Sequence, residues 1–279
     1  MPGGRDRPLG LSSNVSSALP FFPIEIMRTK DFILAMALIT AMAIVVSTGQ
    51  AESSPPVAQI LERYTRALGG EALARGLVSI IAEGSFYIPE SQIRGMVRQA
   101  LKAPNKSIYT IRSQDGEIFM ELGFDGRIGW QQRLYSGGGA EVRQITGPAL
   151  KQMQLNADLY REFKLPDLYP RMRYRGRVKI AGQPAEVIEA VSVGGQSETW
   201  YFDRQTGLLR RRDSWSVSAG ESVRVQNYFA DYREVSGVMI PYEVRACFPD
   251  SPENNIVITI HSITVNAPVS DSRFIMPRW

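Results

Sequence analysis

The sequence predicts an α+β protein, mainly β with helices, built as a large curled antiparallel sheet. The sheet forms an open half barrel lidded by two or three helical segments. Three observations carry this expectation. Five strand-like runs, and later seven more, follow one another with turn chemistry between them. Only two long stretches show helical periodicity. No interior linker, composition break or fixed-period repeat divides residues 52–279, so a single domain accounts for them.

The N-terminus reads as an export signal. From Met27, Arg28 and Lys30 form a short positive region, and Phe32 to Val46 is an apolar run broken only by Thr40. Gly49 and Ala51 then supply small residues at the minus-three and minus-one positions of a cleavage site, the order a signal peptidase reads. The run of about 15 residues is shorter than the roughly 20 of a spanning helix. Residues 27–51 are therefore expected to be removed near Ala51 and the mature chain to enter the periplasm. No cysteine directly follows the run, which excludes a lipoprotein anchor on the mature N-terminus. Residues 1–26 fit nothing upstream of such a signal. Either translation starts at Met27, or they are a disordered cytoplasmic extension.

After a polar linker at residues 52–56, Ile60, Leu61, Tyr64 and Leu68 recur at helical spacing, and Gly69-Gly70 caps the helix. A short turn is expected over Glu71–Arg75. The period then switches to two, with strands expected at Val78–Ile88, Gln92–Ala103, Ser107–Ser113, Glu117–Phe124 and Arg127–Tyr135. Asp115-Gly116 and Asp125-Gly126 supply two-residue hairpin turns between them. Ser136–Ala140 reads as a flexible loop, lacking the Lys and following helix of a phosphate loop. Gly147–Phe163 is the second helical segment, and Pro166 and Pro170 bracket one more turn. Strands resume at Arg171–Ala181, Ala185–Val193, Ser197–Asp203, Leu208–Val217, Glu221–Tyr232, Val238–Cys247 and Ile256–Val265. Accumulated strand twist curls a sheet this long, and its concave face needs a cover.

Composition removes several function classes. The 279 residues carry 32 Lys+Arg against 28 Asp+Glu. Residues 1–51 hold four of those cations and three of the anions, so the mature part carries 28 against 25, a surplus of +3. That is too little for a nucleic-acid partner, whose basic stripe and motif are both missing. It is compatible with peripheral contact at an anionic membrane. One cysteine, Cys247, excludes an intrachain disulfide, and with the lone His261 it leaves no cluster for zinc or iron–sulfur. No metal and no cofactor are expected.

No catalytic residue is expected either. There is no Gly-x-Ser-x-Gly and no His-Glu-x-x-His, and the acids fall mostly at turns or alternate with apolar strand positions. His261, inside an apolar strand, and Cys247, at a strand end, read as packing residues. Two features stand above this background. Arg171, Arg173, Arg175, Arg177 and Lys179 alternate along one strand and are expected on a single face. There they meet either cross-strand acids such as Glu186 or an anionic partner. Large, adaptable apolar side chains in and around the sheet, Met96, Met120, Trp130, Met153, Trp200 and Trp215, suit a surface that accepts acyl chains. They also suit an ordinary core. Met153, Leu155 and Leu159 are expected to close the concave face from the helical segment.

The order of short motifs carries a resemblance. A helix ending in Leu68-Gly-Gly precedes a strand pair closing in Lys102-Ala-Pro-Asn105, then Phe124-Asp-Gly-Arg-Ile-Gly-Trp130. Later come the stretch from Trp200 to Leu209 and that from Asp231 to Pro241. Over residues 57–277 this resembles the periplasmic outer-membrane lipoprotein-sorting proteins of the LolA/LolB-like superfamily. The resemblance implies a half barrel whose helices lid an apolar cavity for lipoprotein acyl chains, with a periplasmic address and no cofactor. No position here matches a motif that fixes those carriers' functional arginine. Two function classes follow: a periplasmic carrier or binding protein for lipoprotein or lipid acyl chains, and a non-catalytic envelope module that binds a protein partner.

Overall fold

A computed structural model describes residues 57–70, 76–116, 119–135, 138–218 and 221–278. The export signal, the residues before it and the turn expected over Glu71–Arg75 lie outside the described residues. Helix α1, Val57–Ala67, precedes a first meander of β1 (Ser79–Ile88), β2 (Ile93–Lys102), β3 (Lys106–Ser113), β4 (Phe119–Phe124), β5 (Gly129–Leu134) and β6 (Ala140–Ile145). Next come helix α2 (Gly147–Ala157), a 3-10 turn (Arg161–Phe163) and the single-turn helix α3 (Leu165–Leu168). The second meander is β7 (Arg171–Ile180), β8 (Gln183–Val191), β9 (Ser197–Asp203), β10 (Leu209–Ser218), β11 (Glu221–Val235), β12 (Val238–Cys247) and β13 (Ile256–Val265).

All thirteen strands form one sheet, in the order β6-β5-β4-β3-β2-β1-β13-β12-β11-β10-β9-β8-β7. The two meanders meet where β1 pairs antiparallel with β13, and β6 and β7 are the free edges. The expected half barrel is therefore what forms. Thirteen strands spaced about 4.8 Å apart would set the edges of a flat sheet about 58 Å apart. Residues 146–170 join those edges, and with their helical turns they reach at most about 50 Å. The sheet must curl for the chain to close this distance.

The turn expected at Asp125-Gly126 forms, though four residues rather than two separate β4 from β5. Asp125 accepts hydrogen bonds from the backbone N–H groups of Arg127 and Ile128, at 2.8 and 2.7 Å, and Gly126 takes the positive φ its turn requires. Helix α1 ends in a Schellman motif. Gly70 N–H donates to the Thr65 carbonyl and Gly69 N–H to that of Arg66. A Cβ at Gly69 would lie 2.1 Å from the Gly237 carbonyl oxygen. The Leu-Gly-Gly end thus lets the helix touch the β11–β12 hairpin, where Met239 N–H donates to the Leu68 carbonyl at 3.0 Å.

Two expectations change. The helical segment Gly147–Phe163 is not continuous: Asp158 turns extended (φ −67°, ψ 108°), and its carboxylate accepts from Tyr160 N–H at 2.9 Å. An Asp side chain that bonds the backbone two residues on starts a new turn rather than extending the old one. Residue Ala140, read as loop, opens strand β6. As an exposed edge strand it carries no apolar alternation to announce it.

Buried residues divide between the two faces of the sheet. On the concave face Met153 and Ala157 of α2 pack into a cluster with Phe86, Val97, Ile111, Met120, Phe124, Val225 and Ile258. Beside it α1 places Ile60, Leu61, Tyr64 and Leu68 against Ile188, Trp200, Phe202 and Leu209. The convex face carries a smaller cluster of Ala100, Ile108, Trp130 and Phe274. Here Trp130 lies across its cross-strand partner Gly123 and donates its indole N–H to the Phe274 carbonyl at 2.8 Å. A Cβ at Gly123 would meet the Trp130 ring at 2.1 Å, and the ring is 1% exposed and tied in place. Overpacking of this kind costs about 1–3 kcal/mol. Gly123→Ala is expected to lower unfolding stability by that amount, read as a shift in the urea midpoint.

Candidate ligand pocket under the lid

A partly open cavity of about 290 Å³ lies on the concave face, under residues 156–163. Its wall is apolar: Leu77, Ile80 and Leu101 from β1, β2 and their approach, with Val238, Ile240 and Ile260 from β12 and β13. A bulge in the β1–β13 ladder after Ile260 adds one residue to β13, so Ile260 and Ile263, three apart, both face the cavity. Above the wall lies the crossing segment. Leu159 N–H donates to the Pro104 carbonyl at 3.2 Å, and the Tyr160 hydroxyl donates to the Leu77 carbonyl at 2.7 Å.

The opposite side is polar. Arg161 is buried and donates through Nη2 to both oxygens of Glu198, at 2.8 and 3.1 Å. Glu198 also accepts from the Tyr169 hydroxyl and from Trp200 Nε1, each at 2.7 Å. Arg212, equally buried, donates to both oxygens of Glu162 at 2.7 Å, and the Tyr64 hydroxyl donates to the same carboxylate at 2.9 Å. Arg161, Glu162, Arg212 and Tyr64 all line the cavity. Desolvation disfavours the Glu162 carboxylate, but Arg212 and Arg161 outweigh it and hold its pKa below the usual range. Desolvation likewise opposes the Arg212 charge, and Glu162 and Glu198 overcome it, raising that pKa.

The residues singled out in the sequence scatter. Leu159 lines the cavity. Met120 and Met153 sit in the main concave cluster and Trp200 in the neighbouring one, while Leu155 is buried on α2. Trp130 is on the convex face, and Met96 and Trp215 are 51% and 45% exposed. The five cations of β7 do not share one face, which corrects the expectation. A bulge between Tyr174 and Gly176 leaves Arg175 as an extra residue and reverses the alternation beyond it. Tyr174, before the bulge, packs with the concave cluster, whereas Val178 and Ile180, after it, pack with Ala185 and Tyr201 on the other side. Arg171 and Arg173 thus face oppositely to Arg177 and Lys179. Arg177 pairs with Glu186 at 3.2 Å, as cross-strand compensation requires, and Arg175 with Glu189 at 2.6 Å.

His261 is not a core residue. It sits in the β13 bulge, exposed, with its Nε2 3.0 Å from Ser85 Oγ. Cys247 is half-buried, and burial pushes its thiol pKa up.

The sequence reading missed the polar side of the pocket altogether. The signal was there in Glu198, which shares a strand face with Trp200 and Phe202. A charge on an inward face needs a buried partner.

No family model matches the sequence, and no curated protein does. Solved structures do match. One is a LolA superfamily protein from Nitrosomonas europaea, 12% identical, with a TM-score of 0.51 over 80% of this chain and 98% of that one. Another is a putative outer membrane lipoprotein-sorting protein domain from Vibrio parahaemolyticus, 11% identical, with a TM-score of 0.49 over 77% and 95%. A DUF1329 family protein from Desulfovibrio piger, 14% identical, gives 0.47 over 80% and 98%. At 12% identity the likeness to the LolA superfamily protein is one of fold alone. Among the described residues, no helix is long and apolar enough to cross a membrane.

The network gives a pH signature. The Glu162 pKa is lowered on folding, so its contribution is present above the unfolded value near 4.5 and is lost as pH falls through the folded value. Glu162→Gln is expected to cost roughly 1–3 kcal/mol at pH 7, less than the roughly 3–5 kcal/mol of a fully buried pair, since this side chain is 31% exposed. The gap between variant and wild type should narrow as pH falls below about 4.5 and close below the folded value in chemical denaturation. A gap that persists there would remove the charge interaction as its cause.

Proposed function

We propose that this chain is an exported, periplasmic binding protein or carrier for an acyl chain, and that the pocket under residues 156–163 holds that chain. The observation that carries the reading is the cavity itself: one half of the concave face is filled by α2, and the other is left open against an aliphatic wall. A volume of about 290 Å³ is at the lower end of the ~300–1,000 Å³ usual for small-molecule pockets. Each methylene buried there contributes about 0.8 kcal/mol, enough for several to offset the ordering cost of a flexible chain. The fold shared with a LolA superfamily protein supports a lipid-handling role, and the order of charge, apolar run and small residues from Met27 to Ala51 supports export. Sorting of lipoproteins to the outer membrane is the particular task this fold brings to mind. The pocket geometry is equally suited to other acylated molecules.

The test is binding of a neutral solvatochromic dye such as Nile red. It is expected to bind with a micromolar Kd and to be displaced by lipids with acyl chains. Ile240→Trp, which puts a large ring on the cavity wall, should weaken binding at least tenfold with little change in melting temperature. If no dye binds at tens of micromolar, or if Ile240→Trp leaves affinity unchanged, the pocket is not the site. The envelope-module reading then stands in its place.

A further inference from the structure

The two free edges of the sheet are not alike. Strand β7 is guarded against pairing: a bulge at Arg175 interrupts its register, and Arg171, Arg173, Arg175, Arg177 and Lys179 set one sign of charge along it. Bulges and charged side chains are how natural sheets keep an edge from adding another strand. Strand β6 has neither a bulge nor an excess of one charge. It pairs with β5 from Ala140 to Ile145 with no shift of register, and it contains no proline and no lysine. Ala140, Glu141, Arg143 and Gln144 are exposed. Its outer backbone groups are a template for one more strand.

The charge pattern says which strand fits. Glu141 and Arg143 are two residues apart, so they share a face of the sheet and flank Val142. Cross-strand neighbours in an antiparallel pair also share a face. A two-fold axis relating two copies of β6 must therefore pass beside one residue and its own copy, because centring it between two residues would pair opposite faces. Centring it at Glu141 or at Arg143 sets like charges directly opposite each other, which destabilises. Centring it at Val142 pairs every residue from Ala140 to Gln144 and sets Glu141 of each copy opposite Arg143 of the other. The opposite charges then meet twice, as an isologous contact requires. We propose that the β6 edge is a self-association site, joining two copies of this chain in one continuous antiparallel sheet about a two-fold axis beside Val142. This goes beyond the acyl-chain reading and does not rest on it. The strand has six residues, so the contact is small. A weak dimer is expected, with a Kd on the order of tens of micromolar.

Sedimentation velocity of the full chain from about 1 to about 200 µM, a range spanning that Kd, tests it, and the mean mass is expected to rise toward that of a dimer. Glu141→Arg and Arg143→Glu should each weaken association at least tenfold, since each brings like charges of the two copies together. An equimolar mixture of the two variants should recover it, because a basic edge then meets an acidic one. In the same register Val142→Cys places its copies roughly 4.5–5.5 Å apart at Cα, within reach of a disulfide. Gln144→Cys faces Ala140 of the other copy instead. Val142→Cys should therefore cross-link under mild oxidation at least tenfold faster than Gln144→Cys, with the wild type and its Cys247 as control. A chain that stays monomeric throughout overturns the inference and leaves the edge to a strand of another protein. Association that both charge variants leave unchanged overturns it too, since another surface, such as the apolar run of residues 32–46, would then carry it. If a charge variant does not fold, the two cysteine variants decide by themselves, and equal cross-linking rates remove the register and the inference with it.

Discussion

Everything in this structure depends on one chain crossing. The first meander ends at β6, one edge of the sheet, and the second begins at β7, the other edge. The connection over residues 146–170 is too short to join the edges of a flat thirteen-stranded sheet. Curvature is therefore imposed by the covalent chain as well as by strand twist. The same connection must lie across the concave face, since that is the short way between the edges. A lid over the half barrel is thus a consequence of topology. Residues on that lid, Leu159 and Arg161 among them, face the sheet interior without any separate domain to position them.

The crossing divides the concave face into two environments. Helix α2 carries Met153 and Ala157 into a close-packed cluster, and there the barrel is filled. After Asp158 breaks the helix, the chain changes from an apolar filler to a polar cover, with Tyr160, Arg161 and Glu162 in succession. The break is what leaves space. One Asp that bonds its own turn separates a core from a pocket.

Much of this was legible in the sequence, and the failures have a common cause. Strands β12 and β13 fall at the boundaries their alternation predicts, because each has one face on the core and the other toward solvent. Edge strand β6 left no trace, since nothing selects its side chains by face. The bulges at Arg175 and His261 were invisible for a related reason. A bulge inserts one residue without altering composition, and every face assignment beyond it reverses. The cationic stripe was read from an unbroken period of two. Leu159, placed by the period of a helix that in fact ends before it, still lines the cavity. The ion pairs of the pocket were missed because Arg161 and Glu198 are 37 residues apart, and only the curl of the sheet brings them together.

How the lid is held also bears on what it can do. The filled half is secured by apolar area, which contributes about 25 cal/mol for each Å² and is lost in full when the surfaces part. The covering half is held by a smaller apolar cluster of Leu77, Leu159 and Val238, by hydrogen bonds from Leu159 and Tyr160, and by the Arg161–Glu198 and Arg212–Glu162 pairs. Each neutral hydrogen bond is worth only about 0.5–1.5 kcal/mol net, because water replaces it on opening. The buried ion pair behaves in the same way for a different reason. Its attraction is largely offset by the desolvation both ions suffer, and that penalty is returned if they are exposed together. Polar tethers of this kind fix the closed geometry closely yet add little to the free energy of closure. The segment over the cavity is accordingly the cheaper of the two halves to lift, and α2 stays seated in its cluster as the fixed point from which it would move.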